Sequence, residues 1–237
     1  MDSSASVSSG SLSPGNGGDG GGIAVGKEIV MKTSDTETTL ISITKPSDTI
    51  RIRNHANINT SANGRGNAGR IGLGVSKLEL DSGAFISSVS NAQGKSGDGG
   101  IIIVAGAIEE VGKNLYAASE SSRKIHLQNN AEISTSSAGT GNAGAILLFA
   151  SETAMDSNAS VSSASLYEQN GGNGGIIQIL SEYLKLGNHA RITTSSSGQG
   201  NAGAIFLLAS RVEMDTGASI SSLSKSEKDG GKGGGIL

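Results

Sequence analysis

Apolar and polar residues along this chain alternate in short bursts rather than at helical spacing, and the bursts recur. The recurring phrase is an apolar-x-apolar pair, a turn, Ala-x-(Ile/Val)-(Ser/Thr/Asn)-(Ser/Thr), a Gly-rich turn and a further apolar run. Its central Ile or Val falls at Val7, Ile58, Ile86, Ile133, Val161, Ile192 and Ile220, giving intervals of 51, 28, 47, 28, 31 and 28. Two residues before each stands an Ala, and two residues after it a Ser or Thr, as in Ala131, Ile133 and Thr135. A period of two puts these three on one face of a strand. The apolar pair lies six and eight residues upstream, as in Leu78 and Leu80, and a third strand is predicted after the Gly turn in IGLGV, IIIVA, AILLFA, IIQIL and AIFLLA.

A unit this short cannot bury its apolar face alone, whereas stacked copies can. The pattern therefore predicts an all-β fold, a right-handed parallel β-helix with three short strands per coil of about 28 residues and six to seven coils, running through 1–237. Its inward ladder comprises Ala56, Ile58, Ala84, Ile86, Ala131, Ile133, Ala159, Val161, Ala190, Ile192, Ala218 and Ile220. From the start of the third strand to the next apolar pair the count is 7 from Ile71, Ile146 and Ile205, 8 from Ile176, 27 from Ile23 and 24 from Ile101. Two insertions, within 24–49 and 102–124, are thus expected to leave the rod at one edge, two coils apart, the first as a small lateral hairpin around TTLISIT. Recognition is commonly carried by loops on a rigid scaffold, so contact with a partner is expected there, at Lys32, Glu37, Lys45, Glu110, Lys113 and Tyr116.

Composition narrows the function. The 237 residues include 37 Gly and 39 Ser but only three Phe, three Tyr and no Trp, which leaves few large rings to fill a Rossmann sheet, a TIM barrel or a helical bundle. A net charge of −3 with recurring apolar runs argues against disorder. Gly without a three-residue period argues against collagen. No apolar stretch is long enough for a membrane-spanning helix, and a pI near 5.6 argues against nucleic acid. The absence of Cys excludes disulfides and thiolate chemistry, and suits either a reduced compartment or a long secreted chain that stays unfolded during export.

Candidate chemistry reduces mostly to turns. GGDGGG (17–22) and GGNGG (171–175) invite comparison with calcium-binding nonapeptides, but the acid stands between Gly pairs and the unit is three times too long. They read as turns in which Asn or Asp bonds the local backbone, as do Asn67, Asn142 and Asn201. Asp2, Asp81, Asp156 and Asp215 read as turn caps, two coils apart, with an Asp2, Arg53, Asp81 charge ladder among them. His55, His126 and His189 fall in separate places, so no catalytic, cofactor or metal residue is expected. Two other classes stay open: a β-helical polysaccharide lyase or hydrolase, and a calcium-dependent exoprotein or surface-layer module. The chain enters in mid-coil, with Met1 at the place of Met155 and Met214, and stops just inside a third strand. That is the pattern of an internal slice of a longer solenoid, whose open coil edges favour end-to-end association.

The units LKLGNHARITTSSSGQGNAGAIFLLAS and MDSNASVSSASLYEQNGGNGGIIQIL, with Gly-Asn-Ala-Gly turns at 66–69, 141–144 and 200–203, resemble the repeats of filamentous-haemagglutinin-like large exoproteins of the two-partner secretion type. The likeness runs over essentially the whole chain. It implies a secreted bacterial surface protein, a shaft for adhesion or display, exported by an outer-membrane partner and meeting a glycan or protein on a host or neighbouring cell. The family's amino-terminal secretion domain is not in this sequence, and the family supplies no catalytic residue.

Overall fold

The computed structural model describes residues 5–13, 17–33, 38–92, 94–112, 115–226 and 230–237. Their strands, in chain order, are β1 (Ser6–Ser11), β2 (Ile23–Val25), β3 (Glu28–Thr33), β4 (Thr38–Lys45), β5 (Ser47–Ile52), β6 (Asn57–Ala62), β7 (Arg70–Leu80), β8 (Phe85–Ser90), β9 (Ile101–Ala105), β10 (Ala107–Gly112), β11 (Leu115–Glu120), β12 (Ser122–Leu127), β13 (Glu132–Ser137), β14 (Ala145–Met155), β15 (Ser160–Ser165), β16 (Ile176–Leu186), β17 (Arg191–Ser196), β18 (Ala204–Met214), β19 (Ser219–Ser224) and β20 (Gly235–Ile236). No helix occurs among the described residues. The chain is a parallel β-solenoid of about six turns. One sheet stacks β1-β6-β8-β13-β15-β17-β19 in register through the ruler residues, so that Ile133 pairs with Ile86 on one side and Val161 on the other. The second sheet stacks the remaining legs of each coil.

Each coil holds fewer separate strands than its sequence suggests. The third strand of one coil and the apolar pair of the next are a single 11-residue strand in β7, β14, β16 and β18. In β14 the inward alternation runs to Ala150, slips at Ser151 and Glu152, and resumes at Thr153. The corner is turned inside the strand, because no Gly, Pro or Asn interrupts segments such as FASETAM. The apparent irregularity at Ile176 also disappears. Ile177, not Ile176, is the partner of Ile146 and Ile205, so the count to Leu184 is 7 as elsewhere, and Ile176 is 47% exposed.

The other two corners set the periodicity. After the apolar pair, two consecutive residues take left-handed φ, as in Asn54 and His55 (56° and 60°), Asn129 and Asn130 (54° and 61°) and Ser157 and Asn158 (50° and 62°). Asn, Gly and short polar side chains tolerate that conformation best. The preceding Asp caps the corner and reaches the next coil: Asp156 Oδ1 accepts the Ser157 amide and the Asn188 side-chain amide, both at 2.7 Å. The supposed Asp2, Arg53, Asp81 ladder is not formed within the described residues, since Arg53 bonds Glu79 instead, while Asp2 lies outside them.

The Gly-rich corner is a four-residue turn repeated seven times, at 18–21, 66–69, 97–100, 141–144, 172–175, 200–203 and 231–234. Measured from the ruler residue it begins alternately 11 and 8 residues on, as from Val161 to Gly172 and from Ile192 to Gly200. Coils of 31 and 28 residues therefore alternate, and the true repeat is a pair of coils. The turn's second residue does not bond its own backbone. Asp19, Asn67, Asp98, Asn142, Asn173 and Asn201 each accept, at 2.7–2.9 Å, the main-chain N–H of the equivalent residue one coil on, ending at Lys232. The reason is stacking: at a strand-like separation of about 4.8 Å the next coil's amide lies within reach of a short side chain.

The core is mainly apolar, with buried hydroxyls set into it. Ala84, Ile86, Ala131, Ile133, Ala159, Val161, Ala190 and Ile192 are wholly buried, Ile58 nearly so, and Ala56, Ala218 and Ile220 partly so. Beside them Thr60, Thr135 and Thr194 donate to Ser88, Ser163 and Ser222 at 2.8–2.9 Å. Those serines pass the bond to the carbonyls of Gly69, Gly144 and Gly203 at 2.7–2.9 Å. A buried hydroxyl is tolerated when it is paired, and every one of these is.

Candidate functional site

Among the described residues the coils carry added strands at one place. In β7 the outward positions are Gly72 and Gly74, where the equivalent strands carry Ile103 and Ala105, or Leu147 and Phe149. Over this coil lie the two insertions. β3 and β4 form one antiparallel hairpin, β10 and β11 another, and the two join through Ile43 opposite Ile108 and Ser42 opposite Glu109. The result is a four-stranded lateral sheet, order β11-β10-β4-β3, contributed by the coils on either side of the glycine-bearing one. Ile43, Ile103, Ala105 and Ile108 form a second buried cluster beneath it.

The glycines make the fit. A Cβ on Gly74 would lie 2.3 Å from Ile43 Cγ2, far inside contact distance. Gly74→Val should therefore lift the lateral sheet while leaving the solenoid folded, at a cost of about 2–3 kcal/mol. Hydrogen exchange checks this: amides of 42–45 and 107–111 should lose protection while those of 132–137 keep theirs. Equal protection of both segments in the variant contradicts the fit.

Of the residues singled out as partner contacts, Lys32, Lys45, Glu110 and Tyr116 lie on the four strands of the lateral sheet. Lys45 is exposed and bonded to Glu28 at 2.5 Å, which holds the Glu28 carboxyl below its usual range. Lys32 lies in β3 opposite Thr39. Glu110 is opposite Tyr116, whose ring packs on the second cluster with the Arg70 guanidinium 5.4 Å from its centroid, so Tyr116 serves the sheet's attachment. Glu37 and Lys113 lie outside the described residues.

A groove lies beside the sheet, lined by Ser121, Ser151, Leu180, Glu182, Leu208 and Ser210. It continues the strip that the lateral sheet covers: Leu147 and Phe149 are partly covered, while Phe206 is 40% and Leu208 69% exposed. The sequence signal was the run AIFLLA, apolar on both faces where a half-solvated strand alternates. No protein-family model, curated protein or solved structure matches this chain.

A second feature is the charged outer face of the apolar-pair legs. Glu79, with a side chain only 15% exposed, bonds Lys77, Arg51 at 2.5 Å and Arg53 at 3.4 Å. The Lys77 and Arg51 hydrogen bonds pull its carboxyl down to about 2. Lys124 pairs with Glu152 at 2.6 Å, and Tyr183 donates to Glu213. His126 stands among them, half-buried, its pKa lowered chiefly by desolvation. A depressed carboxylate stabilises the fold above its unfolded value and loses that contribution as pH falls through the folded one. Glu79→Gln should thus destabilise by about 1–2 kcal/mol at pH 7, screening by solvent included. The gap to wild type should close as pH falls from 4.5 towards 2; thermal melts across that range check it, and a constant gap refutes it.

Asp19 and Asp98, the residues a calcium site would need, each give an oxygen to an amide of the next coil. Among the described residues no three His, Asp or Glu side chains are grouped to hold a metal ion.

Proposed function

We propose that this chain is a structural and adhesive shaft segment of a secreted bacterial surface exoprotein of the filamentous-haemagglutinin-like kind. The observation that carries the reading is the rod itself: coils of alternating length close their own hydrogen bonds from turn to turn, and their surface is elaborated at one lateral sheet. Such a scaffold projects a recognition element away from its anchorage. The parent chain would be exported by an outer-membrane partner, and the ligand would be a glycan or protein of a host or neighbouring cell. The test is binding to a glycan and host-matrix array by the intact chain and by a variant with 26–48 and 106–122 replaced by short links. Saturable binding lost in a variant that still melts cooperatively supports the reading. Turnover of a glycan, or no ligand on either array, overturns it.

A further inference from the structure

Asn-Gly pairs occur at Asn16, Asn63, Asn170 and Asn173. Asparagine side chains are chemically labile, and a following glycine, which lacks a Cβ, lets its nitrogen approach the side chain most freely. The fold treats these pairs differently. Asn173 belongs to the Gly-rich corner: its side-chain oxygen accepts the Asn201 N–H at 2.8 Å, its side-chain amide donates to Asn142 at 3.2 Å, and the Gly174 N–H donates to the Asn201 carbonyl at 2.8 Å. Asp19 and Asp98 precede glycine at the same place, and there the Gly20 and Gly99 N–H groups are bonded to the Asn67 and Asn142 carbonyls, also at 2.8 Å. Asn63 is half-buried, and its side-chain oxygen accepts the Asn91 side-chain amide at 3.1 Å. Asn16 lies outside the described residues. Asn170 has none of these ties. It falls in the segment 166–171 by which a longer coil reaches its Gly-rich corner, where a shorter coil uses only 197–199. It is exposed, neither its main chain nor its side chain bonds a neighbouring coil, and the Gly171 N–H makes no such bond either.

We propose that Asn170 is a modification site, at which the folded chain converts spontaneously to aspartate and isoaspartate while the rod shields Asn63 and Asn173. The Gly171 nitrogen bonds to Asn170 Cγ and gives up its proton, the Cγ–Nδ2 bond breaks, and ammonia leaves. Solvent water then opens the cyclic imide at either carbonyl, one opening giving aspartate and the other isoaspartate. At Asn173 the same attack requires the Gly174 N–H and the side chain to leave their partners together, so reaction there waits on opening of the corner. The product places a carboxylate two residues from Glu168 and, in the isoaspartate, adds a carbon to the main chain. Asn170 itself holds no neighbouring coil, so the stack survives the change. The inference rests on this corner alone and is independent of whether the shaft is adhesive.

The test is incubation of the intact chain in mildly alkaline buffer, folded and in concentrated urea, followed over time by peptide mapping with fragmentation that separates position 170 from position 173. Conversion is read as the mass change from amide to acid, and isoaspartate by enzymatic transfer of a labelled methyl group to its carboxylate. In the folded chain Asn170 should convert faster than Asn63 and Asn173 by about tenfold or more. In urea the rates at these positions should draw together, because the dipeptide is the same and the coils no longer hold it. Asn170→Gln should keep the wild-type melt and show no early conversion at this corner. Equal rates at 170 and 173 in the folded chain, conversion of Asn63 as fast as that of Asn170, or a preference for 170 that persists undiminished in urea each overturns the proposal.

Discussion

Gly144→Val is expected to unfold the middle of the rod. Glycines 21, 69, 100, 144, 175, 203 and 234 stand one above another at the last position of the Gly-rich corner. A Cβ on Gly144 would fall 1.8 Å from the Gly100 carbonyl oxygen, and one on Gly175 1.9 Å from the Gly144 oxygen and 2.0 Å from Ser163 Oγ. The obstruction is backbone of the adjacent coil, not a side chain that can swing aside, so the coils must part. Parting them breaks the main-chain bonds from the Ala145 amide to the Gly100 carbonyl (3.0 Å) and from the Gly99 amide to the Asn142 carbonyl (2.8 Å), and leaves those groups without partners. Urea melts should show a loss on the order of 5 kcal/mol or no cooperative transition. Gly18→Ala is the control, because nothing lies within 4 Å of that position; it should change stability by less than about 0.5 kcal/mol. Similar stability of the two variants would show that the glycine column is not what lets the coils close.

Ile133→Asp against Ser134→Asp separates the two faces of one strand. Ile133 is wholly buried between Ile86 and Val161, and no basic group belongs to that ladder. A carboxylate there loses water without gaining a partner and the apolar contact goes with it, a penalty of about 3–5 kcal/mol. Ser134 is half-buried on the outer face, paired with Ser87 and Ser162, and its replacement should shift stability by less than about 1 kcal/mol. Denaturant midpoints of the two variants decide the matter, and equal midpoints would reverse the inward and outward assignment.

The ladder could be read from the sequence because Ala, Ile/Val and Ser/Thr recur with strict period two, and burial of one face leaves a strand no other register. The places where chain leaves the rod could be read from interval lengths alone. The alternation of coil length could not be seen with one ruler. It needs the Gly corner as a second reference, and that corner varies between Gly-Asp-Gly-Gly and Gly-Asn-Ala-Gly because Ala68, Ala143 and Ala202 fit at its third place while Gly99 and Gly174 sit under a neighbouring amide. Asn67 and Asn142 were legible as turn residues but not as links between coils, since a short amide bonds its own turn by default and only stacking supplies another donor. The union of the two hairpins rests on Gly72 and Gly74 in a coil that belongs to neither. Their signal was present: glycine at two successive outward positions of an otherwise apolar strand. The groove beyond β11 is a product of where that sheet ends, which no local pattern records.

The alternation has a mechanical meaning. Every bond between coils lies along the rod, so tension on the two ends peels coils off one at a time. Released coils of 28 and 31 residues pay out about 100 and 110 Å of extended chain in turn, a two-beat extension record. The lateral sheet breaks that rhythm. Its strands bolt the first three coils together across the glycine-bearing one, so a pull that frays the far end step by step meets, at the near end, a clasp that must yield as a whole.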